Sequence, residues 1–216
     1  MIKNIIFDIG NVLAGFVWKD FFASFGFSEE INGKLAACTV LGPLWSEMDH
    51  GIMNEQEIIA AFKLYDPSIA DEIDIVYNNL NGMIARYDYT IPWINELKGQ
   101  GYKVYIISNI FGKMMRDCKE ELDFVSLVDG AVLSYQEKII KPDSKIYRLL
   151  LNRYGLNPTE CVFIDDMERN VWAARNVGIP GIVFESYQQC YFDLKRMLCS
   201  DFAGRDVVIE AVKRLA

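Results

Sequence analysis

"NIIFDIGNVL", residues 4–13, ends an apolar run in one carboxylate, Asp8, and sets Gly10 and Asn11 directly behind it. Consecutive apolar residues without polar alternation are the pattern of a short strand covered on both faces, as in a parallel sheet. Similar runs recur at "YKVYII" 102–107, "GAVL" 130–133, "CVFI" 161–164 and "GIVF" 181–184. Helical patterns separate the later ones. "GKMMRDCKEEL" follows the second, and "PDSKIYRLLLNRY" opens on Pro142 at a plausible first helical position. "RNVWAARNVG" stops on Gly178. Alternating strands and helices predict an α/β fold with a doubly wound, Rossmann-like parallel sheet.

The interval from Ala14 to about Tyr87 breaks this rhythm and carries no convincing strand. It holds helical stripes instead: Trp18, Phe21, Phe22 and Phe25, then Ile69, Ile73, Val76 and Leu80. Asn54 with Glu57, and Asp66 before Pro67, are helix-start signals. A crossover this long exceeds what a sheet connection needs. The expected organisation is an α/β core of residues 1–14 and 88–216, with a helical subdomain over 15–87.

Composition narrows the class. The 216 residues are 51% hydrophobic, enough for a large single core. The net charge of −8 argues against nucleic acid or an acidic membrane surface as partner. No apolar stretch is long enough to span a bilayer, and Asp8 interrupts the apolar N-terminal run, so a cytoplasmic protein is expected. The five cysteines are odd in number and never spaced C-x-x-C, which suggests buried thiols rather than disulfides or a zinc site.

In open α/β sheets ligands gather at the carboxyl ends of strands. Three ends here turn abruptly polar, at Asp8, at Ser108-Asn109 and at Asp165-Asp166, and Lys141 stands before the Pro142 helix. Clustered carboxylates repel unless a hard cation sits among them, and Mg²⁺ prefers oxygen ligands. A lysine and a hydroxyl beside that cation suit phosphoryl oxygens, and a carboxylate aimed at phosphorus can attack it.

"FDIGNVL", "IISN", "KP" and "FIDDMERN" stand in the order of the four motifs of the haloacid dehalogenase-like hydrolase superfamily, and the chain resembles that superfamily from Ile5 to about Phe184. The helical segment is similar to its small cap. The resemblance implies a Mg²⁺-dependent phosphatase working through a phospho-aspartate. Asp8 would be nucleophile and metal ligand, and Gly10 would offer a backbone carbonyl to the metal. Ser108 and Asn109 would hold the phosphoryl group, and Lys141 would bridge it to the nucleophile. Asp165 and Asp166 would hold the metal, directly or through water, with Asn170 steadying its water shell.

The family's usual first motif carries an acid–base aspartate where this chain has Gly10, a role typically worth about 10²–10⁴-fold in rate. Three explanations compete: a substrate whose leaving group needs little protonation, replacement by water or a cap side chain, or loss of turnover. The "D-x-G-N" motif is similar to that of members acting on hexose 1-phosphates, so small sugar phosphates are the expected substrates. A phosphate-ligand binding or regulatory protein is the alternative. Asp49 and His50, the sole histidine, are the cap side chains considered for substrate contact. A dehalogenase would leave the acidic pair unexplained, a phosphomutase leans harder on the missing acid, and no G-x-G-x-x-G supports a nicotinamide enzyme.

Overall fold

The computed structural model describes residues 1–200. The chain begins with β1 (Asn4–Phe7) and β2 (Ala14–Phe16). Five helices follow: α1 (Trp18–Ala23), α2 (Glu29–Cys38), α3 (Trp45–His50), α4 (Glu55–Tyr65) and α5 (Ala70–Asn78). Then come β3 (Ile84–Arg86), α6 (Thr90–Gly99), β4 (Lys103–Ser108), α7 (Gly112–Asp117), β5 (Gly130–Leu133) and α8 (Ser134–Glu137). The described chain closes with α9 (Ser144–Tyr154), β6 (Cys161–Asp165), α10 (Glu168–Asn176), β7 (Gly181–Val183) and α11 (Tyr187–Ser200).

The main sheet is parallel throughout, in the order β5-β4-β1-β6-β7. Its central strand divides its side chains between two cores: Ile5 and Phe7 enter one, Ile6 the other. That division is why β1 shows no polar alternation. Register does the rest. Phe7 pairs with Ile106 of β4 and Ile164 of β6, so the residues just beyond these three positions emerge side by side at one edge.

The five apolar runs of the sequence all lie in this sheet. The long interval differs from expectation, because β2 and β3 pair antiparallel, Ala14 opposite Arg86, where the chain leaves and re-enters the core. Each is three residues long, too short for any alternation to register in sequence. Between them the helices bury Phe22, Phe62, Ile73 and Val76, and Leu80 is buried just beyond the end of α5. Asn54 and Glu57 form a reciprocal capping box at α4, whereas Phe25 lies beyond the end of α1 and packs back on Phe21 at 5.1 Å. Two helix boundaries also shift. Pro142 precedes α9 in a cis peptide with Lys141, and Asp143 is the cap, its carboxylate accepting from the Lys145 N–H at 2.9 Å. Helix α7 stops at Asp117 rather than running through "CKEEL".

The loop after β1 is pinned from α6. The Tyr89 hydroxyl donates to the Val12 carbonyl at 2.7 Å and the Thr90 hydroxyl to the Leu13 carbonyl at 2.5 Å. Beneath them the buried Trp93 meets Phe7 edge-on at 4.8 Å, and Tyr187 of α11 stacks on Tyr89 at 4.4 Å. No helix among the described residues is long and apolar enough to cross a membrane. All five cysteines are free, and only Cys199 is exposed.

Trp93→Ala removes the largest side chain under the end of β1 and should cost about 3–5 kcal/mol of folding stability, read from the denaturant midpoint.

Candidate active site

Asp8 stands one residue past β1, and burial pushes its carboxyl up to about 7, with Asp165 adding to the shift and Lys141 and Ser108 opposing it. One of its oxygens, Oδ1, accepts from the Ile9 N–H at 2.7 Å and from the Ser108 hydroxyl at 2.8 Å, and pairs with Lys141 Nζ at 2.7 Å. That same ammonium lies 2.7 Å from Asp165 Oδ2. Burial works to lower the Lys141 amine, but the flanking Asp165 and Asp8 outweigh it and hold the group charged.

Asp165 is fully buried and almost saturated with donors. The Met167 N–H reaches Oδ1 at 2.8 Å, and Asn170 Nδ2 reaches the two oxygens at 2.9 and 3.1 Å. With Lys141 these donors fill the roughly four lone-pair positions of a carboxylate. Asp166 is less engaged. Its Oδ2 accepts from Asn11 Nδ2 at 3.0 Å, and burial raises its pKa. One oxygen from each of Asp8, Asp165 and Asp166 lies within 4.8 Å of the others. Three carboxylates thus share one buried ammonium, an imbalance that a divalent cation would correct. The buried Asn170 Oδ1 has no hydrogen-bond partner, which leaves an acceptor available for a metal-bound water. The donor set therefore fits a hard cation.

The remaining expected residues meet at the same edge. Ser108 is buried against Asp8. The Asn109 side chain clamps the main chain of Lys141 from both sides: its Oδ1 accepts from the Lys141 N–H at 2.7 Å and its Nδ2 donates to the Lys141 carbonyl at 3.0 Å. Gly10 adopts no positive φ, and a Cβ built there meets nothing within 4 Å. Neither backbone strain nor crowding requires a glycine at that position.

A cavity of about 280 Å³ covers the cluster. Asp8, Ser108, Asn109, Lys141 and Asp166 form its floor, and Phe16, Trp45, Asp49, Ile84, Phe111 and Met114 wall it. His50 does not line it. Sequence reasoning missed the role of Asn11, whose left-handed backbone (φ 56°) turns its side chain toward Asp166. The signal was present, because asparagine tolerates that conformation better than most residues do.

Residues 2–178 match the family model described as haloacid dehalogenase-like hydrolase. The sesquiterpene phosphatase astK of Aspergillus oryzae is 26% identical over 180 residues, covering 83% of this chain and 88% of that protein. The pyrophosphatase PpaX of Bacillus velezensis is 25% identical over 140 residues, 64% of this chain and 60% of that one. A haloacid dehalogenase family enzyme of Bacteroides thetaiotaomicron, solved with magnesium and inorganic phosphate, superposes with a TM-score of 0.66 at 21% identity. The superposition covers 88% of this chain and all (100%) of that one, and it shows the shared fold.

Carboxyls raised to about 7 on folding, Asp8 and Asp49, bind protons in the folded state that a free carboxyl with a pKa near ~3.9 has already lost. Stability of metal-free protein should therefore fall as pH rises through that window. Melting in EDTA should occur at lower temperature at pH 8 than at pH 5. Mg²⁺ at a hundredfold excess over its Kd should restore about 5–10 °C at pH 8 and little at pH 5.

Proposed function

The chain belongs to the haloacid dehalogenase-like hydrolase family, and on that footing we propose that it is a Mg²⁺-dependent phosphatase of small phosphorylated metabolites. The observation that carries this reading is the clustering of the Asp8, Asp165 and Asp166 carboxylates, with Lys141 paired to Asp8 and Asp165, beneath a cavity that Asp8, Asp166 and Lys141 line. Relatives named as a phosphatase and a pyrophosphatase support the same chemistry.

Asp8, the Gly10 carbonyl and Asp166 would hold the cation directly. Asp165, already saturated by protein donors, would orient Lys141 and Asn170, and the Asn170 carbonyl oxygen would receive a metal-bound water. When bound, Mg²⁺ supplies positive charge that offsets repulsion between the phosphoryl oxygens and the carboxylates. The carboxylate of Asp8 attacks phosphorus in line with the departing oxygen and becomes a phospho-aspartate. Lys141 stays beside the attacking oxygen and neutralises charge on the transferring group. Ser108 exchanges its bond to Asp8 for one to a phosphoryl oxygen, and the Asn109 N–H donates to another. Through its side chain Asn109 also fixes Lys141 in place. Water then cleaves the phospho-aspartate.

The expected sugar phosphates meet a cavity whose upper wall is largely apolar, formed by Phe16, Trp45, Ile84, Phe111 and Met114. That wall favours, as a second reading, a phosphate ester with an apolar body. A panel of sugar 1-phosphates, sugar 6-phosphates and prenyl phosphates separates the two.

Mg²⁺-loaded protein should release inorganic phosphate from members of this panel, and Asp8→Asn should reduce release by at least about 10³-fold. Saturable binding of the same esters without phosphate release would support the binding protein instead.

A further inference from the structure

Gly10 leaves the floor of the site without a group to protonate a departing oxygen, and the cavity receives a carboxyl from elsewhere. Asp49 lies on α3 one turn after Trp45, and both line the cavity above Asp8. Asp49 is largely buried, and its carboxyl, with no hydrogen-bond or ion-pair partner among the described residues, is open only to that cavity. No contact within the protein accounts for a carboxyl at that place, and it faces the cavity that Asp8 also lines. The titratable groups within electrostatic reach are Lys141, Asp8 and Tyr77. Burial pushes Asp49 up to about 7, Lys141 opposing and Asp8 adding, so both protonation states are accessible near neutrality. Charges on the elements packed against α3 are engaged elsewhere: Glu55 with Arg116, Glu57 in the capping box, Glu137 with Arg153, and Lys138 with the Gly51 carbonyl.

We propose that Asp49 is the proton-transfer group of this site, supplied by the helical segment in place of the side chain that Gly10 lacks. The assignment rests on the phosphatase reading. As Asp8 forms its bond to phosphorus and the bond to the leaving oxygen breaks, the Asp49 carboxyl gives that oxygen its proton. The resulting Asp49 carboxylate takes a proton from the water whose oxygen attacks the phospho-aspartate. That second step frees inorganic phosphate and restores both Asp8 and protonated Asp49.

The test compares kcat/KM of Mg²⁺-loaded wild type and Asp49→Asn on an alkyl phosphate and on p-nitrophenyl phosphate, whose leaving group departs as a stable anion. The alkyl ester should lose about 10²–10⁴-fold and the aryl ester less than about tenfold. Gly10→Asp in the Asp49→Asn background should recover most of the alkyl activity, since the space beside position 10 is open. The melting temperature of Asp49→Asn should equal or exceed that of the wild type. Equal loss on both esters, no loss on the alkyl ester, or a lowered melting temperature overturns the assignment. A wild type that turns over neither ester, nor any of the sugar or prenyl phosphates, instead sinks the phosphatase reading, and this assignment with it.

Discussion

One ammonium group holds the site together. Lys141 Nζ sits 2.7 Å from Asp8 and 2.7 Å from Asp165, bridging the ends of β1 and β6 from a loop that belongs to neither. All three groups are buried, so each charge has left water and depends on the others for compensation. Asn109 closes the arrangement by gripping the lysine's main chain, and Asn170 by holding both oxygens of Asp165. Three strand ends and one loop are tied into a single polar network, and Asp166 stands beside it, held by Asn11.

That network is under-neutralised. One ammonium balances one carboxylate, yet the cluster has three carboxylates and one lysine. Burial first, and the neighbouring Asp165 carboxylate after it, raise the carboxyls of Asp8 and Asp166. A site left short of positive charge fits a hard cation, and the cost of holding its carboxylates together falls on the surrounding fold. The packing of Phe7 on Trp93, and the two hydroxyl bonds from α6 to the loop after Asp8, carry part of that load.

The helical segment contributes more than a cover. Trp45 and Asp49 share one face of α3, so the same turn of helix presents an apolar wall and a carboxyl to the same cavity. Gly10, meanwhile, is not demanded by its backbone or its neighbours. A side chain missing from the floor and an unpartnered carboxyl arriving from the roof are complementary features, though they come from segments about forty residues apart.

Much of this was legible in the chain itself. Unbroken apolar runs can be satisfied only by burial on both faces, so the strands of the parallel sheet, and the polar residues that end them, follow from local composition. The capping box at Asn54 and Glu57 is likewise a local matter, since its two hydrogen bonds span three residues. Other features depend on partners distant in sequence. The pairing of β2 with β3 arises where the chain crosses the same boundary twice. The tie from Asn11 to Asp166 spans 155 residues, and that from Asn109 to Lys141 spans 32. The burial of Asp49 over Asp8 depends on how α3 settles against the core. Residue types and their periodicity set which segments must be buried and which groups end them. Only tertiary packing decides which of those groups meet, because distance in space and exclusion of water are properties of the assembled fold.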